Sequence, residues 1–180
     1  MTRIIALLMA AAPGFAFAAG GMSSTPPTST ETTQQCANGF VYDAEAQACV
    51  AIQQDSFLAP ETHDRAIELV RELAYNDRFA DAQVILAAMD QSDDRVQTYW
   101  GFTHRKMGNM DKAMQAYYAA LVTNPDNLLV HSYMGQAYVE MGGMVMAQEQ
   151  LTEIRARGGR ESWPEKSLAW AIENGKGQSY

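Results

Sequence analysis

Between Gly20 and Thr62 the chain has no lysine or arginine, only the acids Glu31, Asp43, Glu45, Asp55 and Glu61. Over all 180 residues the acids outnumber the bases 21 to 13, a formal charge of −8. A chain so charged has no diffuse attraction to phosphate backbones or anionic lipid, so nucleic acid is not an expected partner. No apolar run reaches the roughly 20 residues that a membrane-spanning helix needs. The three histidines, His63, His104 and His131, form no His-x-x-x-His pair and sit beside no ligand-spaced cysteines or carboxylates, so no metal site is expected. Phosphate loop, dinucleotide glycine fingerprint and Gly-x-Ser-x-Gly elbow are all missing. Neither a cofactor nor enzymatic activity has a residue set to carry it.

What is present begins with an export pattern. Arg3 supplies a positive start, Ile4 to Ala12 an apolar run, Pro13-Gly14 a break and Ala16-Phe17-Ala18 a small-x-small site. The expectation is a signal peptide over 1–18 cut after Ala18, a periplasmic or secreted chain, and no stable membrane insertion once the signal is gone. Removing Arg3 makes the remainder one unit more acidic. An oxidising compartment favours a disulfide between the only two cysteines, Cys36 and Cys49. A catalytic cysteine would need a base nearby, and neither has a histidine in its local sequence.

Residues 19–35 are rich in Ser, Thr and Pro and nearly devoid of large apolar side chains. That composition reads as a disordered tether. Over 36–50 a turn signal at Asn38-Gly39, the β-prone Phe40-Val41-Tyr42, the polar turn Asp43 to Gln47 and the closing Cys49-Val50 predict a small disulfide-pinned hairpin. Its Cys-x-x-Gly, aromatic-Asp, Cys pattern resembles small extracellular modules, some of them chitin-binding. A second linker is expected over 51–62.

From residue 63 apolar residues recur at helical spacing: Ile67, Val70, Leu73 and Ala74, then Ala82, Ile85, Leu86 and Met89. Asn76-Asp77, Gly108-Asn109 and Gly142-Gly143 mark turns midway through successive helix pairs. Residues 94–127 superpose on 128–161 at one constant offset of 34, which aligns Gly101 with Gly135, Gly108 with Gly142 and Ala113 with Ala147. Trp100 then falls on Met134, His104 on Tyr138, Tyr117 on Leu151 and Ala120 on Ile154. Hairpins with one unburied apolar face stack on like neighbours, and small residues are needed where helices approach closely. A shorter pair over 63–93 precedes them. After Gly158-Gly159, the capping-box spacing Ser162-Trp163-Pro164-Glu165 restarts a helix over 162–175 that would cap the array, with Trp163, Leu168, Trp170 and Ile172 covering its end, and 176–180 as a tail.

The 34-residue pattern resembles the tetratricopeptide repeat. Trp100, Gly101, Gly108, Ala113, Tyr117, Ala120 and Pro125 carry the signature, and Gly135, Tyr138, Gly142 and Ala147 repeat it; Gly159 stands where an exit proline would be. The resemblance implies an all-α fold, a right-handed α-solenoid of three helix-turn-helix repeats (63–93, 94–127, 128–161) with a C-terminal capping helix. It also implies a concave groove lined by the first helix of each pair. On that face fall Arg71, Tyr75, Arg95, Phe102, Arg105, Lys106 and Gln136, a basic and aromatic set suited to an acidic or carboxylate-bearing peptide. The Lys/Asn carboxylate clamp of chaperone cofactors is not reproduced at Ile67, Thr98 and Ser132. The resulting expectation is a non-enzymatic protein-binding module of the cell envelope, with glycan or cell-wall binding through the hairpin as the alternative. The methionines, among them Met107, Met110, Met114, Met134, Met141, Met144 and Met146, are expected mostly in the core, with Met144 or Met146 exposed near their turn.

Overall fold

The computed structural model describes residues 27–59 and 62–177; the expected signal peptide and cleavage point and the start of the expected tether lie outside the described residues. The chain is mostly helical, with one two-stranded sheet. In order come α1 (Glu31–Gln35), β1 (Phe40–Asp43), β2 (Ala48–Ala51) and a 3-10 turn at Gln54–Phe57. Then follow α2 (His63–Tyr75), α3 (Phe79–Leu86), α4 (Asp94–Lys106), α5 (Met110–Thr123), α6 (Leu128–Glu140), α7 (Met144–Ala156) and α8 (Trp163–Asn174).

The three pairs α2/α3, α4/α5 and α6/α7 each turn on a residue with left-handed backbone: Asp77 at φ 58°, Gly108 at φ 80° and Gly142 at φ 79°. At each turn one amide reaches back to the carbonyl five residues earlier: Arg78 to Leu73, Asn109 to His104 and Gly143 to Tyr138. The last two are 34 residues apart and the first comes three early, matching the short first pair. Inside the second pair Gly101 faces Tyr117, and inside the third Gly135 faces Leu168 and Gln150. The core runs through all three pairs, from Val70 and Leu73 through Tyr99, Phe102 and Tyr117 to Tyr133 and Ala147.

Helix α8 starts as expected, with Ser162 Oγ accepting from the Glu165 amide and Pro164 in the first turn. Its Leu168 packs with Leu151 and Ile154 of α7. Trp163 departs from the expected end-covering role. Its indole N–H instead donates toward Tyr75 Oη of α2 at 3.4 Å, reaching back across the array.

The hairpin is antiparallel, with Val41 opposite Val50 and Tyr42 opposite Cys49. The Cys36–Cys49 disulfide is formed. The Asp43 carboxylate accepts from the Glu45 and Ala46 amides, closing the turn. Those two bonds, Ala46 first, hold the exposed Asp43 below its ordinary carboxyl pKa. Removing the disulfide by Cys36→Ser and Cys49→Ser is expected to cost about 3 kcal/mol. Amide hydrogen exchange checks it: protection across Phe40–Ala51 drops first while α4 to α7 stay protected, and an unchanged hairpin would contradict the expectation.

Both expected linkers are corrected for their described part. Thr30 caps α1, and Thr32 Oγ1 accepts from the Tyr42 amide at 3.0 Å. Thr30 donates to Glu72 Oε1 through its amide at 2.7 Å and through its hydroxyl at 2.9 Å, and Thr33 Oγ1 adds a third bond. The composition argument weighed apolar burial alone. Here hydroxyls held by a buried carboxylate order a segment with little apolar surface. Downstream, Ile52 and Phe57 pack against the core and Gln54 donates to the Val84 carbonyl.

One arginine binds the disulfide module to the helices. Arg78, buried between α2 and α3, donates to the carbonyls of Thr32, Cys36, Ala37 and Phe40 at 2.6–3.3 Å. Its Nε donates to Asp81 at 2.7 Å, and Asp81 also accepts from the Gly39 amide.

Candidate functional site

The first helices of the pairs, α2, α4 and α6, share a face, and the repeat spacing brings aromatic residues together on it. Tyr75 and Phe102 stack with ring centroids 5.4 Å apart. Tyr133 tilts against Phe102 at 4.8 Å, and its hydroxyl meets that of Tyr75 at 2.5 Å. Arg105 and Lys106 flank Phe102, their charged ends 5.6 and 5.8 Å from its ring. Arg105 donates to Glu140 at 2.6 Å and to Gln136 at 3.4 Å, and Gln136 donates to Ser167 of α8 at 3.0 Å. Burial, together with the neighbouring Arg105 charge, pushes the Lys106 ammonium below the ordinary lysine value, while Glu140 opposes the shift.

Tyr75, Phe102, Arg105, Lys106 and Gln136 are thus brought together, as the repeat resemblance implied. The other two expected residues, Arg95 and Arg71, have carboxylate partners of their own. Arg95 sits at the start of α4, paired with Asp93 at 2.8 Å and Asp64 at 2.7 Å. Arg71 donates to Glu68 at 3.1 Å. Sequence reasoning missed Tyr133, Trp163 and Ser167. Tyr133 lies one turn before the included Gln136 on α6, so its position was readable; the reach of α8 over this face was not.

The expectation of an open basic groove is corrected. Phe102 is 0% exposed, as is the Arg105 side chain, while Arg71, Tyr75 and Gln136 are buried. Glu68 and Glu140 balance the cations, which the sequence reading counted without their partners. A buried arginine is tolerated only with such pairing. The face is a packed aromatic and arginine cluster with the partly exposed Lys106 at its edge.

A second concavity is open. A cleft of about 1260 Å³ lies between the Pro27–Thr32 segment, the hairpin and α2, with Glu31, Asp43, Glu45, Glu68 and Glu72 on its walls alongside Arg65. Phe40 is exposed at the start of β1, whereas Tyr42 is half-buried. The methionines are less internal than expected: Met89 and Met134 are buried, but Met107, Met141, Met144 and Met146 are all exposed.

At the start of α4, Asp93 accepts from the Arg95 amide and guanidinium and from His63 Nε2 at 2.7 Å. Burial alone would raise this carboxyl, but the bonds from Arg95 outweigh it and hold the pKa below the ordinary value. A folded-state pKa below the unfolded one gives stability that is present above about pH 4 and is lost as pH falls through the folded value. The urea-unfolding free energy is therefore expected to decline below about pH 4, less steeply in Asp93→Asn. Equal slopes in both proteins would count against this pairing.

Among the described residues no cluster of His, Cys, Asp and Glu can hold a metal ion, and no helix is long and apolar enough to cross a membrane. No family model, no curated protein and no solved structure matches the chain.

Proposed function

We propose that this chain is a helical-repeat binding protein of the tetratricopeptide type, exported to the bacterial cell envelope, that recognises a protein segment on the α2/α4/α6 face and performs no chemistry itself. The observation that carries the reading is the cluster of Tyr75, Phe102 and Tyr133 with Arg105, Lys106 and Gln136. Aromatics and arginine dominate the binding energy of protein interfaces, and three stacked helix pairs present them on one side. Export is supported by the leader pattern and by the disulfide, which suits an oxidising compartment. The right-handed solenoid is the architecture that the 34-residue offset implies for these pairs.

The test is selection from a phage-displayed peptide library against the folded chain, repeated with Lys106→Glu, a partly exposed position that leaves the buried aromatics in place. A converging set of peptides that loses at least tenfold in affinity for Lys106→Glu is the expected result. No enrichment, or peptides indifferent to the substitution, would reject the face as the site.

Glycan binding through the hairpin is the second reading, favoured by the exposed Phe40 on β1 and by the open cleft that Tyr42 lines. Retention on insoluble peptidoglycan or chitin, lost in Phe40→Ala, would select it. Deleting the whole hairpin would be a poorer test, because it takes the Cys36, Ala37 and Phe40 carbonyls from Arg78 and the Gly39 amide from Asp81.

A further inference from the structure

The two edges of the hairpin differ. Its register pairs Val41 with Val50, and the Ile52 amide donates to the Gly39 carbonyl at 2.9 Å. In an antiparallel ladder bonded pairs alternate with unbonded ones, so the backbone groups of Phe40 and Tyr42 on β1, and of Cys49 and Ala51 on β2, face outward. On β1 three of them are taken: the Phe40 amide donates to the Ala37 carbonyl, the Phe40 carbonyl accepts from Arg78, and the Tyr42 amide donates to Thr32 Oγ1. On β2 no hydrogen bond reaches the outward amides and carbonyls of Cys49 and Ala51 among the described residues. All four residues of β2 are exposed. Natural edge strands are commonly blunted by lysine, proline or a bulge, and Ala48-Cys49-Val50-Ala51 has none of these. The disulfide and Arg78 hold this open edge in place.

We propose that β2 is a docking edge for an extended, basic segment of a partner protein, which adds as a third strand with lysine or arginine at alternate positions. Strand addition draws its affinity from main-chain bonds and its selectivity from alternate side chains. Val41 and Val50 stand opposite each other, and both line the cleft of about 1260 Å³ between the hairpin and α2. Every second side chain of an added strand lies on this same side of the sheet. The charge there selects the partner. Glu31, Asp43, Glu45, Glu68 and Glu72 line the cleft against Arg65 and Arg71, and Glu31 and Glu45 have no ion-pair partner among the described residues. A second copy of this chain, paired β2 to β2, would bring the same acids against themselves, and no lysine or arginine lies between Gly20 and Thr62 to offset them. The edge is separate from the α2/α4/α6 face and stands whether or not that face binds a peptide.

The probe is a labelled peptide, Lys-Val-Lys-Val-Lys-Val-Lys, titrated into the full chain and followed by amide hydrogen exchange. Saturable binding should slow exchange of the Cys49 and Ala51 amides at least tenfold and leave the Tyr42 amide, already bonded to Thr32, unchanged. The same peptide N-methylated at every internal residue keeps its charge but cannot donate to a strand edge, and it should bind at least tenfold more weakly. A peptide with glutamate in place of lysine should lose as much. Ala51→Pro removes one outward amide and no bond inside the hairpin, and should weaken binding at least tenfold. Glu45→Lys, which leaves the backbone as it is, should weaken it at least threefold. Equal binding of the N-methylated peptide would reduce the effect to diffuse charge and overturn the proposal. So would indifference to both substitutions, binding that leaves the Cys49 and Ala51 amides unprotected, or no binding at all. Protection of those two amides on concentrating the chain alone would make a second copy the occupant, and would also overturn it. Lys106→Glu should bind the peptide as the unaltered chain does; a loss there would place the peptide on the α2/α4/α6 face instead and overturn the docking edge.

Discussion

Replacing Arg78 by alanine is expected to cost about 3–5 kcal/mol, the range for removing one partner of a buried, hydrogen-bonded ion pair. The substitution takes the guanidinium from Asp81, which keeps the Gly39 amide, and removes the side-chain donor from four carbonyls, of which those of Thr32 and Ala37 retain a backbone donor. The loss should be uneven. Residues 30–51 are held to the helices through Arg78, Asp81 and Glu72, so they should loosen first, becoming open to proteolysis while the array from α4 onward keeps its protection. Limited proteolysis and urea unfolding of Arg78→Ala check both parts. Arg78→Lys should recover little, because an ammonium lacks the planar fork that serves four carbonyls and a carboxylate together. A drop below about 1 kcal/mol would mean that water replaces these bonds and that the module is held by other contacts.

Gly101→Ala is the second large effect, and two opposing magnitudes decide its sign. Alanine inside a helix gains about 1 kcal/mol over glycine in propensity. Its Cβ, however, would stand 2.2 Å from Tyr117 Cε1 and 2.4 Å from Cδ1. The Tyr117 ring is fully buried and rigid, and overpacking of this kind costs about 1–3 kcal/mol or more. The net expectation is a loss of about 2 kcal/mol, read as a lowered Tm. Tyr117→Phe would not relieve it, since the clash is with the ring carbons. Gly135→Ala should be milder, because its nearest neighbours are the tips of Leu168, a flexible side chain at 2.6 Å. If both variants were stabilised, the close approach of the paired helices would be refuted.

What the sequence made legible was local. The helix pairs, their turns at Asp77, Gly108 and Gly142, the cap set by Ser162 and the hairpin with its disulfide all follow from spacing and turn chemistry within a few residues. The repeat resemblance also implied that Tyr75, Phe102, Arg105, Lys106 and Gln136 share one side. What escaped was set by contacts between distant residues. Arg78 lies in an ordinary interhelical turn, and nothing near it announces four carbonyl partners 38–46 positions earlier. Glu72 looks like a surface acid until the hydroxyls of Thr30 and Thr33 are seen to close on it. The burial of Tyr75 escaped for the same reason, since Trp163 meets it from 88 positions away. Charge was misjudged where cations were tallied without Glu68 and Glu140 beside them.

The disulfide module and α8 together have a consequence for assembly. A row of like helix pairs is self-complementary at its two ends, because the surface that receives the next pair resembles the surface already buried inside. Head-to-tail contacts of that kind do not close and grow into open fibres. Here α8 lies over one end through Leu168, and the α1–hairpin unit, fastened to α2 and α3 by Arg78 and Glu72, lies over the other. Its two cysteines therefore do more than staple a hairpin: they keep in shape the unit that lies against the first pair.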